Sequence, residues 1–157
     1  MSNCSTSIQV YEMIKKYLED HHVSFKTHDE DLVLTMTLQG DDLPQPTFVE
    51  VDDKRKIIQI VSPIPSHIPE DKRIDAAVAV SVANYGLANG SFDLDMNDGE
   101  IRYRVAQGFM GIEVSEELIG YMIAVIFQTT DKYNDRFFML GKGLISLDKF
   151  IEMENDD

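Results

Sequence analysis

The chain has a single cysteine in 157 residues. One thiol excludes an intrachain disulfide, so no covalent cross-link contributes to the fold. Cys4 lies in the polar stretch Ser2-Asn3-Cys4-Ser5-Thr6-Ser7, with no neighbouring His or basic residue to lower its pKa, and reads as an unused thiol. Basic residues are also scarce: 14 Lys and Arg stand against 28 Asp and Glu, a formal charge of −14. That balance excludes a nucleic-acid phosphate backbone and an anionic membrane surface as partners, since both demand a basic face. No long apolar run is present. The richest stretch, Leu118 to Phe127, falls well short of the roughly 20 residues that span a bilayer. The N-terminus has no basic segment leading into an apolar one, so no secretory signal is read, and a cytoplasmic location is expected.

Catalytic motifs are equally lacking. Asp93-Leu94-Asp95-Met96-Asn97 begins like a calcium loop, but position six would be Asp98 instead of Gly and position twelve Arg104 instead of Glu. Gly141-Lys142-Gly143 lacks the first glycine and the Ser or Thr of a phosphate loop, and reads as a helix-ending turn. The histidines His21, His22, His28 and His67 form no ligand spacing. The acids Asp29, Glu30 and Asp31 beside His28 read as a solvated turn. No catalytic residue, cofactor site or metal site is assigned, and an enzyme is not expected.

What is present is globular patterning, with 43% hydrophobic and 27% charged residues. The length fits one domain, with residues 1–6 and 153–157 expected as mobile tails. Ile8, Tyr11, Ile14, Tyr17 and Leu18 mark a helix from Ser7 to Asp20, with Ser7 as its expected N-cap. Val23 to Asp29 is a weak strand. Leu32 to Leu38 alternates as a half-buried strand, and Gly40 to Pro46 reads as a loop. Strands are expected at Phe48 to Val51 and at Ile57 to Val61, the second buried on both faces. Three prolines make Ser62 to Pro69 an extended connection into a helix reaching Ala88, with Gly90 as its stop. Asn84 is expected to bond backbone groups near that helix end.

Phe92, Leu94 and Met96 alternate with acids, and Ile101, Tyr103 and Val105 alternate with arginines. A two-residue Asp98-Gly99 turn would pair Met96 with Ile101, Leu94 with Tyr103, Asp95 with Arg102 and Asp93 with Arg104. Ser115 caps a further helix through Phe127 that either extends to Leu140 or breaks near Thr129. Ser146 caps a short last helix. The helices over 74–88 and 118–127 are apolar around nearly their whole circumference. A domain of this size cannot cover both from within, so a second copy is expected to cover part of that surface. The expected interface is Ile74, Val78, Val82, Tyr85, Met122 and Ile126. An alternative is a small-molecule sensor, with a pocket between sheet and helices near Phe92, Tyr103 and Phe127.

The strand Ile57-Ile58-Gln59-Ile60, the connection ending Ile68-Pro69 and the run Asn84 to Phe92 carry a family resemblance. So do Asp98 to Arg104, Ser115-Glu116-Glu117-Leu118 and Asp131-Lys132-Tyr133. Together they resemble the YbjN-like family, described as bacterial sensory-transduction regulators. The resemblance implies an α+β fold similar to the chaperones of bacterial type III secretion, which are small, acidic, usually dimeric and bind extended protein segments. It supplies no catalytic residues to carry over. The expected architecture is an antiparallel sheet of about six strands with helices mainly on one face. The expected function is a non-enzymatic protein-interaction module, chaperone-like or regulatory, acting as a homodimer with a possible protein or peptide partner.

Overall fold

A computed structural model describes residues 4–157. Six strands form one antiparallel sheet: β1 (Phe25–His28), β2 (Val33–Gln39), β3 (Pro44–Asp52), β4 (Ile57–Pro63), β5 (Ser91–Leu94) and β6 (Ile101–Gly108). Their spatial order is β1-β2-β3-β4-β6-β5. Helix α1 (Ser7–Asp20) precedes the sheet. α2 (Arg73–Tyr85) sits between β4 and β5, and α3 (Glu116–Lys142) and α4 (Leu147–Asn155) follow β6.

The strand period of two creates the core. Leu34, Met36, Val49, Val51, Ile58, Ile60, Ile101, Tyr103 and Val105 all point to one face and are buried. α1 packs over β3, α3 over β3, β4 and β6, and α2 over β5, so the helices cover that face. Their partly exposed neighbours Val33, Glu50, Gln59, Val61 and Arg102 line the other face, which no helix covers among the described residues. β4 is therefore buried on one side only. The expectation of two-sided burial fails because Ile57 and Val61 are only half-covered. The loop expected over Gly40 to Pro46 is instead strand from Pro44 onward. Gln39 pairs with Pro44, and both prolines can sit there because β3 begins beside the turn.

α1 has the expected bounds but a different cap. Thr6 accepts from Gln9 N–H and its own N–H donates to the Gln9 side chain, a capping box, while Ser7 is buried. Ile8 is 65% exposed, and Val10 takes the core position instead. Ser5 N–H donates to Ile112 and Ser5 Oγ accepts from Val114, so this end is tied to the loop after β6, where the sequence reads as a tail. Residues 1–3 of that tail lie outside the described residues. At the other end, Glu154 and Asp157 pair with Arg136, where a second tail is expected. α2 opens through a 3-10 turn (Glu70–Lys72) and ends at Gly86, short of the expected Ala88 and Gly90. α3 runs unbroken to Lys142. Gly143 closes it at φ 73°, a left-handed conformation that glycine adopts freely.

The β5–β6 hairpin differs from its expected register by two residues. The pairs are Phe92 with Tyr103, Asp93 with Arg102 and Leu94 with Ile101. A shift of two keeps every side chain on its expected face but changes its partner. The cause is the loop over 95–100. Asp95 N–H donates to Glu100 O, Asn97 N–H donates to the Asp95 carboxylate, and Gly99 N–H donates to Asp95 O. Asp95 is thus used in the turn and does not meet Arg102. Asp93 takes both arginines, at 3.3 Å from Arg102 and 2.8 Å from Arg104. The connection from β4 docks on the loop, with Ile68 N–H donating to Gly99 O and the Arg73 guanidinium donating to the Met96 and Asn97 carbonyls.

Candidate interaction surfaces

α2 divides by side-chain size. Ala76, Ala79, Val80 and Ala83 are buried, which lets the helix backbone approach its neighbours closely. On the opposite side stand Ile74 (70% exposed), Val78 (41%) and Tyr85 (96%), with Val82 half-buried among them. At 100° per residue these four fall within an arc of about 80°, with Val78 at its middle and exposed Ser81 about 20° beyond its Ile74 edge. The result is one apolar stripe facing solvent. Four of the six expected interface residues are brought together here.

The other two are not. Met122 and Ile126 are 1% and 0% exposed and belong to the core that α3 builds on the sheet. All-round apolar composition does not tell the inner face from the outer. On α3 the large residues face in, whereas on α2 the alanines do.

The region near Phe92, Tyr103 and Phe127 is filled rather than hollow. Phe92 packs with its ring centroid 5.0 Å from Tyr103, 5.1 Å from Tyr133 and 5.0 Å from Phe137. Tyr103 donates to Asn89 O at 2.6 Å, and burial pushes its hydroxyl pKa up. Phe127 stays half-buried. This aromatic cluster occupies the space assigned to a ligand, so the expected pocket is corrected to packed core.

Asn84 explains the Asn84…Gly90…Phe92 element. Its side chain accepts from Phe92 N–H at 2.7 Å and donates to Phe92 O at 3.0 Å, so it occupies the outward backbone groups of edge strand β5. Gly90 has φ 68°, and a Cβ there would lie 2.5 Å from the Tyr103 hydroxyl. These residues close one edge of the sheet. At the other edge β1 is short and stops opposite Met36, beside a hollow of about 500 Å³ lined by Phe25, Thr37, Pro46 and Phe48.

The uncovered sheet face carries a shallow groove of about 400 Å³ with Val33, Phe48, Val61 and Pro63 among its lining residues. Among the described residues no group of three or more His, Cys, Asp or Glu is placed to hold a metal ion. Asp29, beside His28, instead accepts from the Tyr11 hydroxyl at 2.9 Å. Burial first and Asp29 second push that hydroxyl up to about 12. Asp131 likewise serves structure. Its carboxylate accepts from Asp41 N–H and Gln45 Nε2, fastening the β2–β3 turn to α3. Among the described residues no helix is long and apolar enough to cross a membrane.

The comparisons with known proteins agree on this architecture. The family model "YbjN: Putative bacterial sensory transduction regulator" matches residues 11–139. The crystal structure of YbjN from E. coli, described as "a putative transcription regulator", superimposes with a TM-score of 0.60 at 15% identity, covering 80% of this chain and 92% of that one. The HopA1–SchA chaperone–effector complex gives 0.57 at 11% identity, covering 82% and 95%. The ExsC–ExsE complex gives 0.56 at 10% identity, covering 82% and 93%. No curated protein sequence matches the chain.

Proposed function

The chain belongs to the YbjN family, and on that premise we propose that it is a non-enzymatic, regulatory protein-interaction module that acts as a homodimer through α2. The observation that carries this reading is the solvent-facing stripe Ile74, Val78, Val82 and Tyr85 on a helix whose opposite face is already used for packing. Such a stripe is self-complementary. In an antiparallel pair of α2 helices, Ile74 of one copy meets Tyr85 of the other, and Val78 meets Val82, with exposed Ser81 on the rim of the stripe about one residue along the chain from the midpoint of the pair. The fold shared with SchA and ExsC complexes supports a protein as the further partner, because those structures hold a chaperone with its effector in one case and a two-protein complex in the other.

Cysteine cross-linking tests the arrangement. In a Cys4→Ser background, Ser81→Cys is expected to form an intermolecular disulfide under mild oxidation, whereas Thr37→Cys on the sheet is not. Equal cross-linking at both positions, or none at Ser81→Cys, would count against dimerisation through α2.

A further inference from the structure

The family match ends at residue 139, before α4 begins at Leu147. α4 nevertheless has a defined seat on α2 and α3. Phe150 is its anchor: 0% exposed, with its ring centroid 5.1 Å from Phe137. Four residues on, Glu154 accepts from the Tyr133 hydroxyl and from Arg136, both at 2.6 Å. Three residues further, Asp157 takes Arg136 at 2.8 Å and Lys132 at 3.1 Å. The seat thus offers an aromatic hole and a basic rim, on a chain whose net charge is −14. The seam beside it is not sealed. A hollow of about 320 Å³ lined by Lys72, Asp75, Leu140, Ile145 and Leu147 lies where the first turn of α4 meets the start of α2. A helix as short as Leu147–Asn155 has little stability away from its seat, so its docking and its folding are one equilibrium.

We propose that the seat beneath α4 is a helix-docking site for another protein. α4 is its resident occupant in cis. An amphipathic helix with an aromatic anchor and carboxylates four and seven residues further on displaces it. Charge complementarity with Lys132 and Arg136 selects the acidic residues, and the Phe137 ring selects the aromatic one. This inference does not depend on dimerisation through α2, since a monomeric protein would leave it intact.

Hydrogen exchange on the full chain and peptide binding test it together. α4 amides are expected to exchange at least roughly 10-fold faster than the α3 amides over 126–140, through local opening. A labelled peptide of residues 144–157 is expected to bind the full-length Phe150→Ala chain in the micromolar range, and at least roughly 10-fold more weakly when the chain also carries Arg136→Gln. α4 exchanging only on global unfolding would overturn the proposal. So would a Phe150→Ala chain with native circular dichroism that takes up no peptide at about 1 mM. Should Phe150→Ala fail to fold, Glu154→Gln with Asp157→Asn loosens α4 without emptying the core, and the same two readings apply. A wild-type dimer that Phe150→Ala abolishes would assign the seat to a second copy and overturn the assignment to another protein.

Discussion

Asn84 holds both outward backbone groups of Phe92 with one amide, a pairing that needs a donor and an acceptor together. Asn84→Ala leaves a partly buried N–H and C=O unpaired, which costs about 1–3 kcal/mol. Urea denaturation is expected to show that loss, and Asn84→Asp is expected to restore little of it because a carboxylate cannot donate to Phe92 O. Asp135 makes a second residue-scale case. Burial first, then the nearby Asp42 carboxylate, raise its pKa above the ordinary carboxylate value. A folded-state pKa above the unfolded one means that ionisation costs stability. The cost is absent below the unfolded value of about 3.9. It grows as pH rises through the window up to the folded pKa and is constant above it. Asp135→Asn is therefore expected to raise the melting temperature at pH 7 and to leave it unchanged near pH 3. Asp157 works in the opposite direction, because hydrogen bonds from Arg136 and Lys132 hold its carboxyl below the ordinary range. Its contribution is lost as pH falls through that lowered value.

At the scale of elements, local signals are strong where an element is decided by its own residues. α1 has its expected bounds because its apolar spacing and flanking polar residues sit within one stretch of chain. The alternation of β5 and β6 gives their inward faces correctly. Their register is different because Ile68, distant in sequence, docks its backbone on Gly99 and draws residues 95–100 into the turn. A Cβ on Gly99 would lie 2.1 Å from Ile68 O, and its φ is 82°. Gly99→Ala is thus expected to cost at least about 1–3 kcal/mol, read as a lowered urea midpoint with unchanged slope. The two apolar helices teach a related lesson. The spacing of Ala76, Ala79 and Ala83 is a signal that this side of α2 packs closely, leaving Ile74 and Val78 outward. Nothing comparable in the sequence points to the knot of Tyr133, Arg136, Glu154 and Asp157. Its carboxylates sit among other acids, and only the tertiary seat of α4 selects them.

At the scale of the molecule, the charge of −14 and the exposed stripe act against each other. In the proposed dimer two copies repel at long range, while four apolar side chains per copy leave water on contact. Screening shortens the reach of the repulsion to about 8 Å at physiological ionic strength and leaves the apolar term in place. Association is therefore expected to tighten with added salt, the reverse of an interface built on opposite charges. A charge placed within the stripe removes the contact without disturbing the core. Val78→Glu is expected to weaken the dimer at least roughly 100-fold while leaving the unfolding transition of the monomer near its original midpoint.

Sedimentation equilibrium of the full chain at micromolar concentration, with Val78→Glu alongside, is the most direct test of dimerisation through α2. The expected masses are about twice the chain mass of 17.8 kDa for the native protein and one chain mass for the variant. A native protein that stays at one chain mass across that range, or a variant that remains as dimeric as the native protein, would contradict it.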